Sequence, residues 1–354
     1  MPGSSARPLP EADLDHVLEH TDGVWEDLRT ARVFITGGTG FVGRWMVESL
    51  LRANDALSLG VELIILTRDV GRFRDAAPHI VGHPSVILQE GDVRSFEFPR
   101  AACSHVLHLA TEAGPSMSPR TSFATSVAGT ERVLSLAAQQ ETRKFLFTSS
   151  GAVYGVQPPS LAKVPEDYAG APRPDDPSAG YGHGKRAAEY LCAVAAAETP
   201  LNVAIARCFA FVGPLLPLDA NFAIGNFIRD ALERDHIEVK GNGTARRSYL
   251  YAAELAIWLW TILARGASGR PYNVGSEEDL SVADLARVVE RVVRPGLPVH
   301  VAEAAATDEA PARYVPSSTR AETELGLTVR VGLDDAVLRT AQWYQTGPKR
   351  PSGR

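Results

Sequence analysis

The 354-residue chain contains only three cysteines, Cys103, Cys192 and Cys208. They make neither a disulfide framework nor a metal-ligand spacing, so a reducing compartment is expected and a metal ion is not. The first thirty residues lack the basic start and apolar core of a signal peptide. No apolar run reaches the ~18 residues a membrane span needs. Positive charge is not in excess either. Lysine and arginine number 36 against 42 acidic residues, for a net charge of -6, which gives no general attraction for nucleic acid or an anionic membrane. These absences leave a cytoplasmic globular protein. Its 45% hydrophobic content suffices for a large core in one to three domains.

Residues 1–10 are small and proline-rich and read as loose. From 11 to 28 apolar residues recur at helical spacing (Leu14, Val17, Leu18, Trp25, Leu28), with a break at Asp22-Gly23. Residues 1–30 are therefore expected to be a helical extension. A short apolar strand at 31–36 then runs into Gly37-Gly38-Thr39-Gly40-Phe41-Val42-Gly43 and a helical pattern through Leu51. Strand, glycine-rich turn and helix in that order is the dinucleotide-binding arrangement: glycines let the backbone approach a pyrophosphate at a helix N-terminus. The spacing is G-x-x-G-x-x-G rather than G-x-G-x-x-G, and a lone glycine cluster is often only a turn. Further strands are expected at 61–66, 86–88, 106–110, 144–148 and 201–206. With the helices between them, such as 122–139, they predict an α/β fold, a Rossmann-type doubly wound parallel sheet.

The end of the second strand bears on the cofactor. An acidic residue there would hold the ribose 2′-hydroxyl of NAD, and an arginine would accommodate the 2′-phosphate of NADP. The chain reads Thr67-Arg68-Asp69, which favours NADP(H) over NAD(H), with Asp69 one residue beyond. Asp92-Val93, after the third strand, is placed to meet the adenine. His105 and His108 read as core or edge histidines. Beyond 207 the alternation loosens, with helices expected at 222–234, 253–264, 281–293 and 334–345. The division expected is a dinucleotide-binding domain over 31–207, a smaller C-terminal substrate-binding domain over 208–345, interleaved with the last strands of the sheet, and a tail over 346–354.

Tyr181-Gly182-His183-Gly184-Lys185 leads into an alanine-rich segment. On a helix, Tyr181 and Lys185 stand one above the other on one face. A phenol near an ammonium can exchange a proton with an alcohol or alkoxide, because the cation favours the ionised phenol. Equally, any helix can carry Tyr-x-x-x-Lys on a wet face.

Taken together the motifs resemble the extended short-chain dehydrogenase/reductases that modify nucleotide sugars: 4-epimerases, 4,6-dehydratases and 4-ketoreductases. The resemblance runs from Val33 to Leu325. It rests on Gly37/Gly40/Gly43, Ser149-Ser150 ahead of Val153-Tyr154-Gly155, Tyr181-x-x-x-Lys185, Arg247 in a G-x-G-x-x-x-R turn, and Tyr272-Asn273-Val274-Gly275. It implies that Tyr181 exchanges the proton at the sugar oxygen, that Lys185 holds the nicotinamide ribose and lowers the Tyr181 pKa, and that Ser150 hydrogen-bonds the same oxygen. It further implies cofactor contacts from Gly37, Thr39, Gly40, Phe41, Val42, Gly43, Thr67, Arg68, Asp92, Val93, Leu109, Ala110 and Thr111. Ser149, Asn226, Arg247 and Arg313 would face the substrate, with Arg247 and Arg313 as diphosphate clamps. The partner is a nucleotide sugar, and a homodimer is expected through helices such as the alanine-rich one after Lys185.

The departures narrow the chemistry. The 4,6-dehydratases carry Asp-Glu where Gly151-Ala152 stand, the decarboxylating relatives a Glu at 152, and the C3/C5-epimerising relatives a Cys there. Neither Gly151 nor Ala152 can move a proton, which leaves hydride chemistry at one carbon, C4. Ser126 replaces an asparagine frequent before V-x-G-T, and Ala210 replaces an asparagine of the 4-epimerases, so a standard UDP-galactose pocket is not expected. A 4-ketoreductase using exchangeable NADPH is preferred to a 4-epimerase that retains its NAD. A silent dinucleotide sensor would have lost Tyr181 or Lys185, and both are present.

Overall fold

The structure, a computed structural model, describes residues 7–111, 118–302 and 311–347. Six strands succeed one another, with helices between all but β3 and β4: β1 (Arg32–Thr36), β2 (Glu62–Thr67), β3 (Val86–Glu90), β4 (His105–His108), β5 (Lys144–Ser150) and β6 (Asn202–Cys208). Short strands β7 (Phe211–Val212), β8 (Ile237–Val239), β9 (Arg246–Arg247) and β10 (Leu250–Tyr251) follow, then β11 (Pro271–Val274), β12 (Leu280–Ser281), β13 (Val299–Val301) and β14 (Arg313–Tyr314). The main sheet has seven strands in the order β11-β6-β5-β4-β1-β2-β3, and every pairing is parallel. It is the doubly wound sheet expected from the sequence. Its seventh strand, β11, had no such signal, being four residues drawn from the second half of the chain.

Parallel strands must be rejoined by crossovers, and helices cover both faces, so strands such as Val33-Phe34-Ile35 are buried on both sides. The crossovers are α2 (Phe41–Leu57), α3 (Val70–Ala76) with the single turn α4 (Pro78–Val81), α5 (Pro119–Gln139) and α6 (Gly180–Glu198). Later come α7 (Ala223–Glu233), α8 (Ala252–Arg265), α9 (Val282–Val293), α10 (Thr319–Leu325) and α11 (Leu333–Gln345). Almost all of α8 is buried, including Trp258 and Trp260, and it packs on α2. Strand order reverses between β1 and β4, and in such a sheet the crevice beyond the strands' carboxyl ends at that reversal is where a ligand fits.

The N-terminal residues are not loose where described. Leu9 is buried and its N–H donates to Glu48 Oε2 at 2.7 Å. In α1 (Glu11–Glu19), buried Asp13 accepts from the Tyr251 hydroxyl at 2.6 Å. Proline and small residues gave no sign of these partners, which lie on α2 and β10, elements distant in sequence. His108 is a core histidine, tied to Thr36 and Thr130 at 2.8 and 3.0 Å, with its pKa pushed down to about 3 by burial.

Candidate active site

The reversal point opens into a cavity of about 870 Å³. One wall is the turn between β1 and α2. Gly37 has φ +74°, and a Cβ there would stand 2.5 Å from the Ala110 nitrogen after β4; a Cβ on Gly43 would stand 2.1 Å from the Gly37 carbonyl oxygen. No side chain fits at either place, so the α2 N-terminus stays open to an anion. This cradle suits the pyrophosphate of a dinucleotide. Thr39, Gly40, Phe41 and Val42 line it, as do Leu109, Ala110 and Thr111.

Thr67, Arg68, Asp92 and Val93, expected at the adenosine end of a cofactor, also line the cavity. Asp69 does not line the cavity. Its carboxylate caps α3 by accepting from the Arg72 N–H at 2.8 Å. Arg94, 2.8 Å from Asp92, holds that carboxyl down at about 2.

The opposite wall carries Ser150, Tyr181 and Lys185, the side chains expected to be catalytic. Ser150 ends β5 and caps a short 3-10 turn, accepting from the Ala152 N–H at 3.2 Å. Tyr181 lies in the first turn of α6, so the helix does stack it over Lys185. Tyr181 faces the cavity and is hydrogen-bonded to the Ser150 and Thr111 hydroxyls. Lys185 is 1% exposed, with Nζ donating to the Thr148 carbonyl at 2.7 Å and lying 6.0 Å from the Tyr181 ring centroid. Burial pulls its pKa down to about 8. The expected lowering of the Tyr181 pKa is not found. Burial raises it, the bonds to Ser150 and Thr111 oppose the rise, and Lys185 is committed to the backbone at the foot of the site. In the protein alone this phenol is therefore an acid, protonated at neutral pH.

Of the expected substrate contacts, Arg247 lines the cavity, its guanidinium 5.8 Å from the Tyr314 ring centroid. Ser149 also lines it, but its hydroxyl donates to Glu189. Arg313 and Asn226 do not line it. Arg313 pairs with Asp279, and the Asn226 amide donates to the carbonyls of Ala220 and Phe222 at 2.6 and 2.7 Å. Asn221, Phe209, Tyr249 and Tyr314, which no sequence motif marks, also line it. The Tyr314 hydroxyl is 3.4 Å from Ser150 Oγ, and burial raises its pKa. Ser126 is buried, with its hydroxyl turned to the Ser122 carbonyl, whereas Ala210 and Ala152 lie on the cavity wall.

A sequence model of the NAD dependent epimerase/dehydratase family matches residues 33–275. The chain belongs to that family. Members of this epimerase/dehydratase family are NAD-dependent enzymes that modify nucleotide sugars, within the extended short-chain dehydrogenase/reductases. Among its curated members, UDP-glucuronic acid decarboxylase 1 of Xenopus tropicalis is 28% identical over 317 residues, 89% of this chain and 72% of the relative. UDP-glucuronic acid decarboxylase 5 of Arabidopsis thaliana is 29% identical over 309 residues, 86% and 87% of the two chains. In fold, the chain is similar to a dTDP-glucose 4,6-dehydratase of Streptomyces venezuelae solved with NAD, with TM-score 0.74, 23% identity, and 89% and 97% of the chains covered. It is also similar to the UDP-glucose 4-epimerase of Thermus thermophilus in complex with NAD, with TM-score 0.71, 22% identity, and 89% and 99% covered. No helix among the described residues is long and apolar enough to cross a membrane.

Proposed function

We propose that this protein is a 4-ketoreductase that reduces a nucleoside-diphosphate-linked 4-keto-6-deoxyhexose, with NADPH as the hydride source. The observation that carries this reading is a cavity with a Ser150/Tyr181/Lys185 proton-transfer set and no side chain able to move a proton at 151 or 152. The curated relatives are named decarboxylases, yet the carboxylate that the family resemblance assigns to decarboxylating and dehydrating members is absent here.

When bound, reduced nicotinamide supplies a hydride to the C4 carbonyl carbon. Ser150 and Tyr181 orient that carbonyl by donating hydrogen bonds to its oxygen. As negative charge develops there, Tyr181 transfers its phenolic proton to the oxygen and the C4 hydroxyl is complete. The resulting tyrosinate recovers a proton from solvent. A phenol that burial keeps protonated suits an acid in the reducing direction. Lys185 adds positive charge below the phenol, which steadies the transient tyrosinate. Arg247 binds the diphosphate through its planar fork. Arg68, on the cavity wall while Asp69 is committed to a helix cap, supports NADPH over NADH.

The second reading is a 4-epimerase with tightly held NAD. It uses the same three residues and is favoured by the NAD in the epimerase and dehydratase structures. Homodimer assembly is also part of the proposal, through α5 and α6, where Phe123 and Tyr190 are 42% and 70% exposed. Mass analysis of small molecules released from the purified protein separates the two enzyme readings. Little retained nicotinamide, and no interconversion of UDP-hexoses without added cofactor, is expected of the reductase. Stoichiometric NAD with such interconversion would establish the epimerase instead.

A further inference from the structure

We infer that His236, Glu238 and His300 bind a divalent transition-metal ion of the zinc class at a site separate from the cavity. None of the three lines the cavity. His300 is far from the other two in sequence and meets them because β8 and β13 pair in parallel with Glu238 opposite His300. His236 stands immediately before β8, two residues from Glu238, and side chains two apart on an extended segment share a face. One ligand atom from each residue lies within 4.8 Å of the others.

The finer geometry suits an ion. His236 Nε2 and Glu238 Oε2 are 3.4 Å apart, about the edge of a tetrahedron whose ligands stand ~2.1 Å from a metal. His236 Nδ1 lies 2.8 Å from Asp235 Oδ1. With the proton on Nδ1, facing that carboxylate, the Nε2 lone pair points to the Glu238 side, the carboxylate–histidine–metal arrangement that orients ligands in metal sites. The rings of His236 and His300 stack at 4.6 Å between centroids and 24° between planes. Two imidazoles and one carboxylate favour zinc-class ions over Mg²⁺ or Ca²⁺, which prefer all-oxygen sets. Three protein ligands leave a fourth position for water. The benefit to the fold is local: β8 and β13 form a two-stranded sheet of three residues each, and such a pair is marginal by itself.

The test is calorimetric titration of the full chain, stripped with chelator, using ZnCl₂, with MgCl₂ as the comparison. One Zn²⁺ per chain with a micromolar or tighter Kd is expected, with no Mg²⁺ binding in the same range. His300→Ala and Glu238→Gln should each weaken Zn²⁺ by at least about tenfold, and Asp235→Asn by about tenfold. Zn²⁺ should raise the thermal midpoint of the wild type and not that of His300→Ala. These side chains are at the surface, so the stripped variants should melt with the stripped wild type; that equality shows that a lost response is lost binding. Co²⁺ should give the strong visible absorption of a four-coordinate site. Absence of saturable Zn²⁺ binding below millimolar concentration, or binding unchanged in His300→Ala, would overturn the proposal.

Discussion

A Cβ on Gly151 would stand 2.7 Å from the Tyr314 hydroxyl, and as close to two carbons of the Phe209 ring. Tyr314 thus occupies the space into which a side chain at 151 would project, beside Ser150. The lack of an acid at 151 is therefore built into the shape of the site. Gly151→Ala should push Tyr314 and Phe209 off their positions, at a cost of about 1–3 kcal/mol in stability. It should lower kcat/KM by about tenfold or more, since small misplacements near a reacting centre are costly. Tyr314→Phe combined with it should recover part of the loss, because the hydroxyl contact is removed. Steady-state kinetics of the two variants and the double variant check this; full activity in Gly151→Ala would remove the contact from consideration.

Tyr181→Phe removes one hydroxyl and leaves the ring. Turnover should fall by about 10²–10⁴-fold, the usual worth of a positioned general acid, while cofactor affinity stays near that of the wild type. Fluorescence titration with NADPH alongside kinetics separates the two effects.

Lys185 yields a prediction about pH. Its folded pKa of about 8 lies below the ordinary lysine value of 10.5, so the unfolded chain binds the extra proton between those values. Stability from this group therefore rises as pH climbs from about 8 towards 10.5, and below 8 the cost of burying the charge is fully present. Relative to Lys185→Met, the wild type should gain about 2–3 kcal/mol across that window. Denaturant unfolding of both proteins at pH 7.5 and 10 measures the difference. NADPH affinity should change in the opposite sense in the wild type, weakening as the ammonium loses its proton.

Arg68→Ala tests cofactor choice. Loss of a charged hydrogen bond to the 2′-phosphate is worth about 1.5–3 kcal/mol, so the KM for NADPH should rise by about tenfold or more and that for NADH should change little. Equal effects on both would mean that Arg68 does not read the 2′ position.

Local motifs were legible in the chain because each is dictated by neighbours in sequence. The glycines after β1, the Ser150 turn and the Tyr181–Lys185 helix face belong to this kind. What stayed hidden depends on register between distant segments. Pairing of β14 with β9 sets Tyr314 beside Arg247 and Arg313 beside Arg246. Alternation then turns the first pair to the cavity and the second to Asp279, which both arginines bind. Arg313 was thus one residue from the position that matters, and nothing short of the pairing reveals which side it takes. Asn226 illustrates the helical version: its amide turns back to carbonyls at the start of α7, while Asn221 reaches the cavity. The His236, Glu238 and His300 cluster was hidden for the same reason, since His300 joins the other two only through the β8–β13 pair.

The most direct test of single-carbon hydride chemistry is deuterium transfer. The purified protein is incubated with NADPH deuterated at the transferable position of the nicotinamide and a nucleoside-diphosphate 4-keto-6-deoxyhexose, and the product sugar is analysed by mass spectrometry and NMR. The expected result is one deuterium at C4 for each NADP⁺ formed, with no release of water or carbon dioxide. No NADPH consumption, together with C4 epimerisation of a UDP-hexose by the protein without added cofactor, would contradict it.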